Sequence, residues 1–170
     1  LNASSRDWAE LNGRRTLLFV HGTGLNAKKT LGFMEASSKG LVSELVRRYE
    51  GRMLAFNHST VFHTVEQNIT ELLKKIPRTD PTTGGRMSLS LDILAVSRGG
   101  LVTRARIEGL VPTGEVEVNA RSVVFLGTPN DGTWSAVTNN TKCVLGVRCI
   151  CNQGDPDLGA PPSAGKFQEG

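Results

Sequence analysis

The chain has 170 residues, 38% hydrophobic and 21% charged, with 20 Lys and Arg against 16 Asp and Glu. That is enough for one domain with a sizeable core and short for two. The basic doublets at Arg14-Arg15, Lys28-Lys29, Arg47-Arg48 and Lys74-Lys75 are scattered among few aromatics, which disfavours nucleic acid as a partner, and no apolar stretch approaches the about 20 residues of a membrane span. The chain opens on Leu1 rather than Met, which leaves a lost leader open; with no signal peptide in view, the default compartment is the cytoplasm.

Residues 1–16 read as an N-terminal segment. The run Leu17–Val20 predicts a fully buried strand that ends at His21-Gly22-Thr23-Gly24, a glycine-rich loop. From Ser38 to Tyr49, Leu41, Val42, Leu45, Val46 and Tyr49 make the apolar stripe of an amphipathic helix, with Gly51 placed to stop it. Residues 52–56 form a second strand followed by Asn57-His58. Thr64 and Gln67 make a capping-box pattern, and the helix they open carries Val65, Ile69, Leu72, Leu73 and Ile76 on one face before Pro77. Residues 78–89 are polar, with Pro and paired Gly, and read as a loop. Residues 90–96 form the third strand, Gly99–Glu108 a short helix stopped by Gly109, and 121–127 the fourth strand, which runs into Thr128-Pro129-Asn130-Asp131. Strands alternating with helices predict an α/β fold: a doubly wound, mostly parallel sheet with helices on both faces. The core spans 17–136, and 137–170 is an irregular tail rich in Gly and Pro.

Cys143, Cys149 and Cys151 are an odd number in one short region, and His21, His58 and His63 all lie far upstream, so neither a disulfide framework nor a metal site is expected. No cofactor is expected either. The uncommon residues gather instead just after strand ends: His21-Gly22-Thr23, Asn57-His58, Ser97-Arg98 and Thr128 to Asp131. In open α/β sheets that edge is where ligands bind.

The segments LLFVHGTG, SLDILAVSRGGLVTRA and VVFLGTPNDGT, in this order and spacing, resemble the lipase and esterase-like branch of the α/β-hydrolases. That resemblance covers roughly residues 16–135. In that fold the nucleophile sits in G-x-S-x-G on a strained turn between strand and helix. Here the five residues are Ala95-Val96-Ser97-Arg98-Gly99, with Ala where the family has its first Gly. The resemblance implies Ser97 as nucleophile, the backbone N–H groups of Arg98 and Thr23 as the oxyanion hole, and Gly22, Gly24 and Asn130 around a small-molecule or lipid ester. It also implies that the first strand lies between the second and third, so that the HG loop and the elbow flank the switch point. His21 is expected to be structural.

The family's order along the chain is Ser, then Asp or Glu, then His. This sequence has no histidine after His63, and Asp155 and Asp157 stand in the Gly/Pro-rich tail. Three readings stay open: an incomplete piece of a longer hydrolase that carries the acid and base elsewhere, a degenerate homologue that binds a ligand or partner without turnover, and an enzyme with a displaced base, for which His58 is the candidate.

Overall fold

A computed structural model describes residues 3–110 and 116–132. Residues Leu1–Asp131 form one compact unit. Cys143, Cys149, Cys151, Asp155 and Asp157 lie outside the described residues.

Among the described residues four strands, β1 (Arg15–Val20), β2 (Met53–Phe56), β3 (Ser88–Val96) and β4 (Glu117–Leu126), form one sheet in the order β2-β1-β3-β4. All three pairings are parallel. The fold is α/β with a parallel sheet, and the first strand lies between the second and third.

Five helices among the described residues accompany the strands: α1 (Ser5–Leu11), α2 (Ala27–Ser37), α3 (Leu41–Arg48), α4 (Val65–Lys75) and α5 (Arg98–Ile107). The crossover from β1 to β2 runs one way across the sheet, and those from β2 to β3 and β3 to β4 run the other way. Right-handed crossovers therefore send α2 and α3 to one face and α4 and α5 to the other. The packing agrees. Leu18, Val20, Leu54, Phe56, Leu91, Ile93 and Ala95 share one face in register and pack with Ile69 and Leu72 of α4, Val102 and Ala105 of α5, and Trp8 and Leu11 of α1. Leu17 and Phe19 point the opposite way and are also buried. On that second face Tyr49, the C-cap of α3, donates its hydroxyl to Asp92 on β3 (2.8 Å).

Several element ends depart from the expectations above. The N-terminal segment holds a helix, α1, capped by Ser4 and Asp7 in a reciprocal box. α2 was not foreseen, because it buries only Ala27 and Thr30 and so carries no apolar stripe; its visible signal is Asn26, whose side chain accepts the Lys29 N–H at 2.9 Å. α3 starts at Leu41 rather than Ser38 because Gly40 takes a left-handed conformation at the N-cap. β3 begins two residues earlier than the apolar run, at Ser88. β4 begins at Glu117, and its polar Glu117, Asn119 and Arg121 suit its place at the edge of the sheet. Both capping bonds of α4, between Thr64 and Gln67, are made as predicted. Among the described residues no helix is long and apolar enough to cross a membrane.

Candidate functional site

The sheet reverses its winding between β1 and β3, and in open α/β sheets the ligand crevice lies outside the C-terminal strand ends at such a point. Ser97 is the single residue between β3 and α5. Its backbone sits at φ 51°, ψ −124°, a region that L side chains adopt only at a cost of about 1–3 kcal/mol. Surrounding structure holds it there. Ser97 N–H donates to Leu126 O of β4 at 2.8 Å, and Gly100 N–H donates to Ser97 O at 2.9 Å. The Ser97 side chain makes no capping bond to the helix it precedes. The turn aims the half-buried hydroxyl away from the service a helix-leading serine normally performs.

Three glycines let the segments approach this closely. A Cβ on Gly22 would stand 2.8 Å from Ser97 Cβ, so the loop after β1 lies directly against the serine. A Cβ on Gly99 would stand 2.6 Å from His21 O, and one on Gly100 would overlap the Thr128 side chain. The ends of β1, β3 and β4 and the first turn of α5 thus converge on Ser97. Arg98 is the first residue of α5, where backbone N–H groups have no acceptor within the helix and the helix dipole is positive. Thr23 is exposed, one residue beyond Gly22. Gly24, at φ 71°, donates its N–H to Thr60 Oγ1 at 3.1 Å, which ties the β1 loop to the loop after β2.

His21 and His58 brace that junction. His21 is buried and its Nδ1 lies 2.8 Å from Gly22 O. A carbonyl only accepts, so Nδ1 carries the proton and Nε2 takes the His58 N–H at 3.2 Å. His58 Nε2 donates in return to His21 O at 2.9 Å, and the rings stack with centroids 4.4 Å apart. Burial holds both rings below the ordinary histidine range, against the raising effect of their backbone bonds. His58 Nδ1 faces Ser59 O at 3.4 Å. Both nitrogens of His58 are thus turned toward backbone carbonyls, and it makes no hydrogen bond to Ser97.

In the loop after β4, Asn130 Oδ1 accepts from Arg104 Nη1 at 3.0 Å, which fixes that loop to α5. The Arg98 side chain reaches the loop after β2, where Nη2 donates to His63 O at 2.7 Å; Nη1 is buried and has no hydrogen-bond partner among the described residues. Burial lowers the Arg98 guanidinium from its usual range, and the Glu66 charge opposes that shift.

A family model described as a domain of unknown function, DUF7379, matches residues 2–154. The chain belongs to that family. No curated protein and no solved structure matches it. The DUF7379 match takes in the HG loop, the elbow and the GTPN segment together.

Sequence reasoning brought Ser97, Gly22 and Arg98 to one edge. It did not find that Gly22 packs on Ser97, that His21 and His58 stack, or that the Arg98 side chain clamps the neighbouring loop. The available signal for the histidine pair was that His21 follows β1 directly and His58 stands two residues past the end of β2.

Proposed function

We propose that this crevice is the active site of a serine hydrolase of the lipase and esterase type, which cleaves a carboxylic ester through an acyl-enzyme. The observation that carries the reading is Ser97 itself: a non-glycine residue at φ 51°, pressed against Gly22, with its hydroxyl left out of helix capping. Ser97 Oγ attacks the ester carbonyl while its proton passes to a base. The backbone N–H groups of Arg98 and Thr23 receive the charge on the carbonyl oxygen. The C–O bond then breaks, the alcohol leaves with the proton, and water releases the acid and regenerates Ser97. Gly22 and Gly24 keep the backbone beside Thr23 bare for the substrate, and Asn130 is assigned to the substrate from the loop after β4.

His58 is engaged by His21 and faces Ser59, and the sequence carries no histidine beyond His63. No acid or base is therefore assigned among the described residues. That no base among the described residues is hydrogen-bonded to Ser97 also favours a second reading, a non-catalytic module that binds a ligand in the same crevice.

A fluorophosphonate probe separates the two. On the hydrolase reading it labels Ser97, and Ser97→Ala abolishes both the adduct and at least about a thousandfold of p-nitrophenyl ester turnover. No adduct on correctly folded protein selects the binding module. Turnover that survives His58→Ala leaves His58 as a brace; loss of turnover in a folded His58→Ala protein makes it the base.

A further inference from the structure

The loops after β1 and β2 present apolar side chains outward beside the crevice. Phe62 is 82% exposed, Val61 50% and Leu25 37%. This exposure belongs to braced backbone. Gly24 N–H bonds Thr60 Oγ1, Ala27 N–H bonds Asn57 Oδ1 at 2.8 Å, Asn68 Nδ2 bonds Ser59 O at 2.9 Å, and Arg98 Nη2 bonds His63 O. Leu25 is one residue from the first of these bonds, and Val61 and Phe62 are one and two residues beyond Thr60, so the three stand on adjoining loop tips. Residues 21–29 and 57–64 contain no Asp or Glu, while Lys28 and Lys29 are exposed in the first turn of α2.

Braced apolar tips beside two exposed lysines have a specific physical match. A protein partner would need a complementary hollow for each convex side chain. A bilayer accepts such tips anywhere in its apolar boundary, and an anionic leaflet attracts the lysines. We propose that the C-terminal edge of the sheet docks on an anionic phospholipid surface, with Phe62, Val61 and Leu25 entering the acyl boundary and Lys28 and Lys29 meeting headgroup phosphates. The docking stands without the nucleophile; that it presents a lipid ester to Ser97 rests on the hydrolase reading.

Sedimentation with phosphatidylserine-rich and pure phosphatidylcholine vesicles tests the docking, with circular dichroism confirming that each variant is folded. The protein binds the serine-lipid vesicles preferentially, and added salt weakens the binding. The double variant Val61→Ser, Phe62→Ser lowers the affinity by at least about tenfold. Lys28→Glu with Lys29→Glu removes the preference for the anionic lipid, each lysine being worth about fivefold. Ser97→Ala binds like wild type, so loss of catalysis and loss of docking read out separately. Failure of the folded wild type to bind serine-lipid vesicles at low salt, or undiminished binding by the serine double variant, overturns the docking.

Discussion

Two polar side chains five residues apart on the same stretch of chain meet opposite fates. Asp92, within β3, is buried, and its carboxylate accepts from Ser122 Oγ at 2.6 Å, Tyr49 hydroxyl at 2.8 Å and Arg15 Nε. Arg15 also lies over the Tyr49 ring, 5.5 Å from its centroid. Burial acts to raise the Asp92 carboxyl, but its three donors outweigh that and hold it below the ordinary range. Ser97, at the end of the same strand, has a strained backbone and a hydroxyl that caps nothing. A buried polar group with every partner supplied pins β1, β3, β4 and α3 together. A strained residue whose hydroxyl caps nothing stores a cost that the rest of the fold must carry, and such residues gather where chemistry is done.

The contrast can be broken most forcefully at Asp92. Asp92→Asn removes the charge that Arg15 and Tyr49 face and is expected to cost about 3 kcal/mol in urea unfolding, with probe labelling of Ser97 retained in the protein that remains folded. A loss under about 0.5 kcal/mol, the range of ordinary surface changes, would remove Asp92 from its structural role. Gly99→Ala comes next. The added methyl meets backbone carbonyls of Val20 and His21, which have no rotamer to escape into, and an overpacking cost of about 2–3 kcal/mol is expected. Ser97→Gly has the opposite sign. Glycine relieves the positive φ, so stability rises by about 1 kcal/mol while labelling disappears. A destabilised Ser97→Gly would show that the turn is not strained.

The smallest effect is in pH. His21 and His58 are held below the ordinary histidine range, so below about pH 6.5 the unfolded chain takes up protons that the folded chain refuses. Stability is full above that point and declines as pH falls toward 5. Asp92 is depressed as a carboxylate, so its contribution is retained through this window and lost only at lower pH. His58→Gln keeps a donor for the His21 carbonyl and removes one titration, so thermal unfolding between pH 8 and 5 flattens in that variant. An unchanged slope would dissociate the stacked pair from the acid dependence.

The same contrast explains what was legible in the sequence. β1, β3 and α4 announce themselves through local patterns: Leu17–Val20, Leu91–Val96, and the Thr64–Gln67 box ahead of Ile69 and Leu72. α2 does not, because Leu31, Phe33 and Met34 form no buried stripe. The onset of β4 hides behind alternating polar residues at a sheet edge. Within the crevice, Ser97 is conspicuous because an apolar run stops on it and glycines follow at once. The His21–His58 stack joins positions 37 residues apart, and the Gly22 contact with Ser97 crosses between strands. No local pattern encodes either; both arise from the order in which β1 and β3 are laid side by side. Gly99 is legible as the last residue of the Ala95–Gly99 pentapeptide, but the groups that it and Gly100 spare, the Val20 and His21 carbonyls and the Thr128 side chain, are not.

The most direct measurement is a crystal structure of the protein after fluorophosphonate treatment. The account predicts phosphorus bonded to Ser97 Oγ, with the phosphoryl oxygen about 2.7–3.1 Å from the backbone nitrogens of Thr23 and Arg98. An unmodified Ser97 in folded protein, or an adduct whose oxygen points away from both amides, would contradict it.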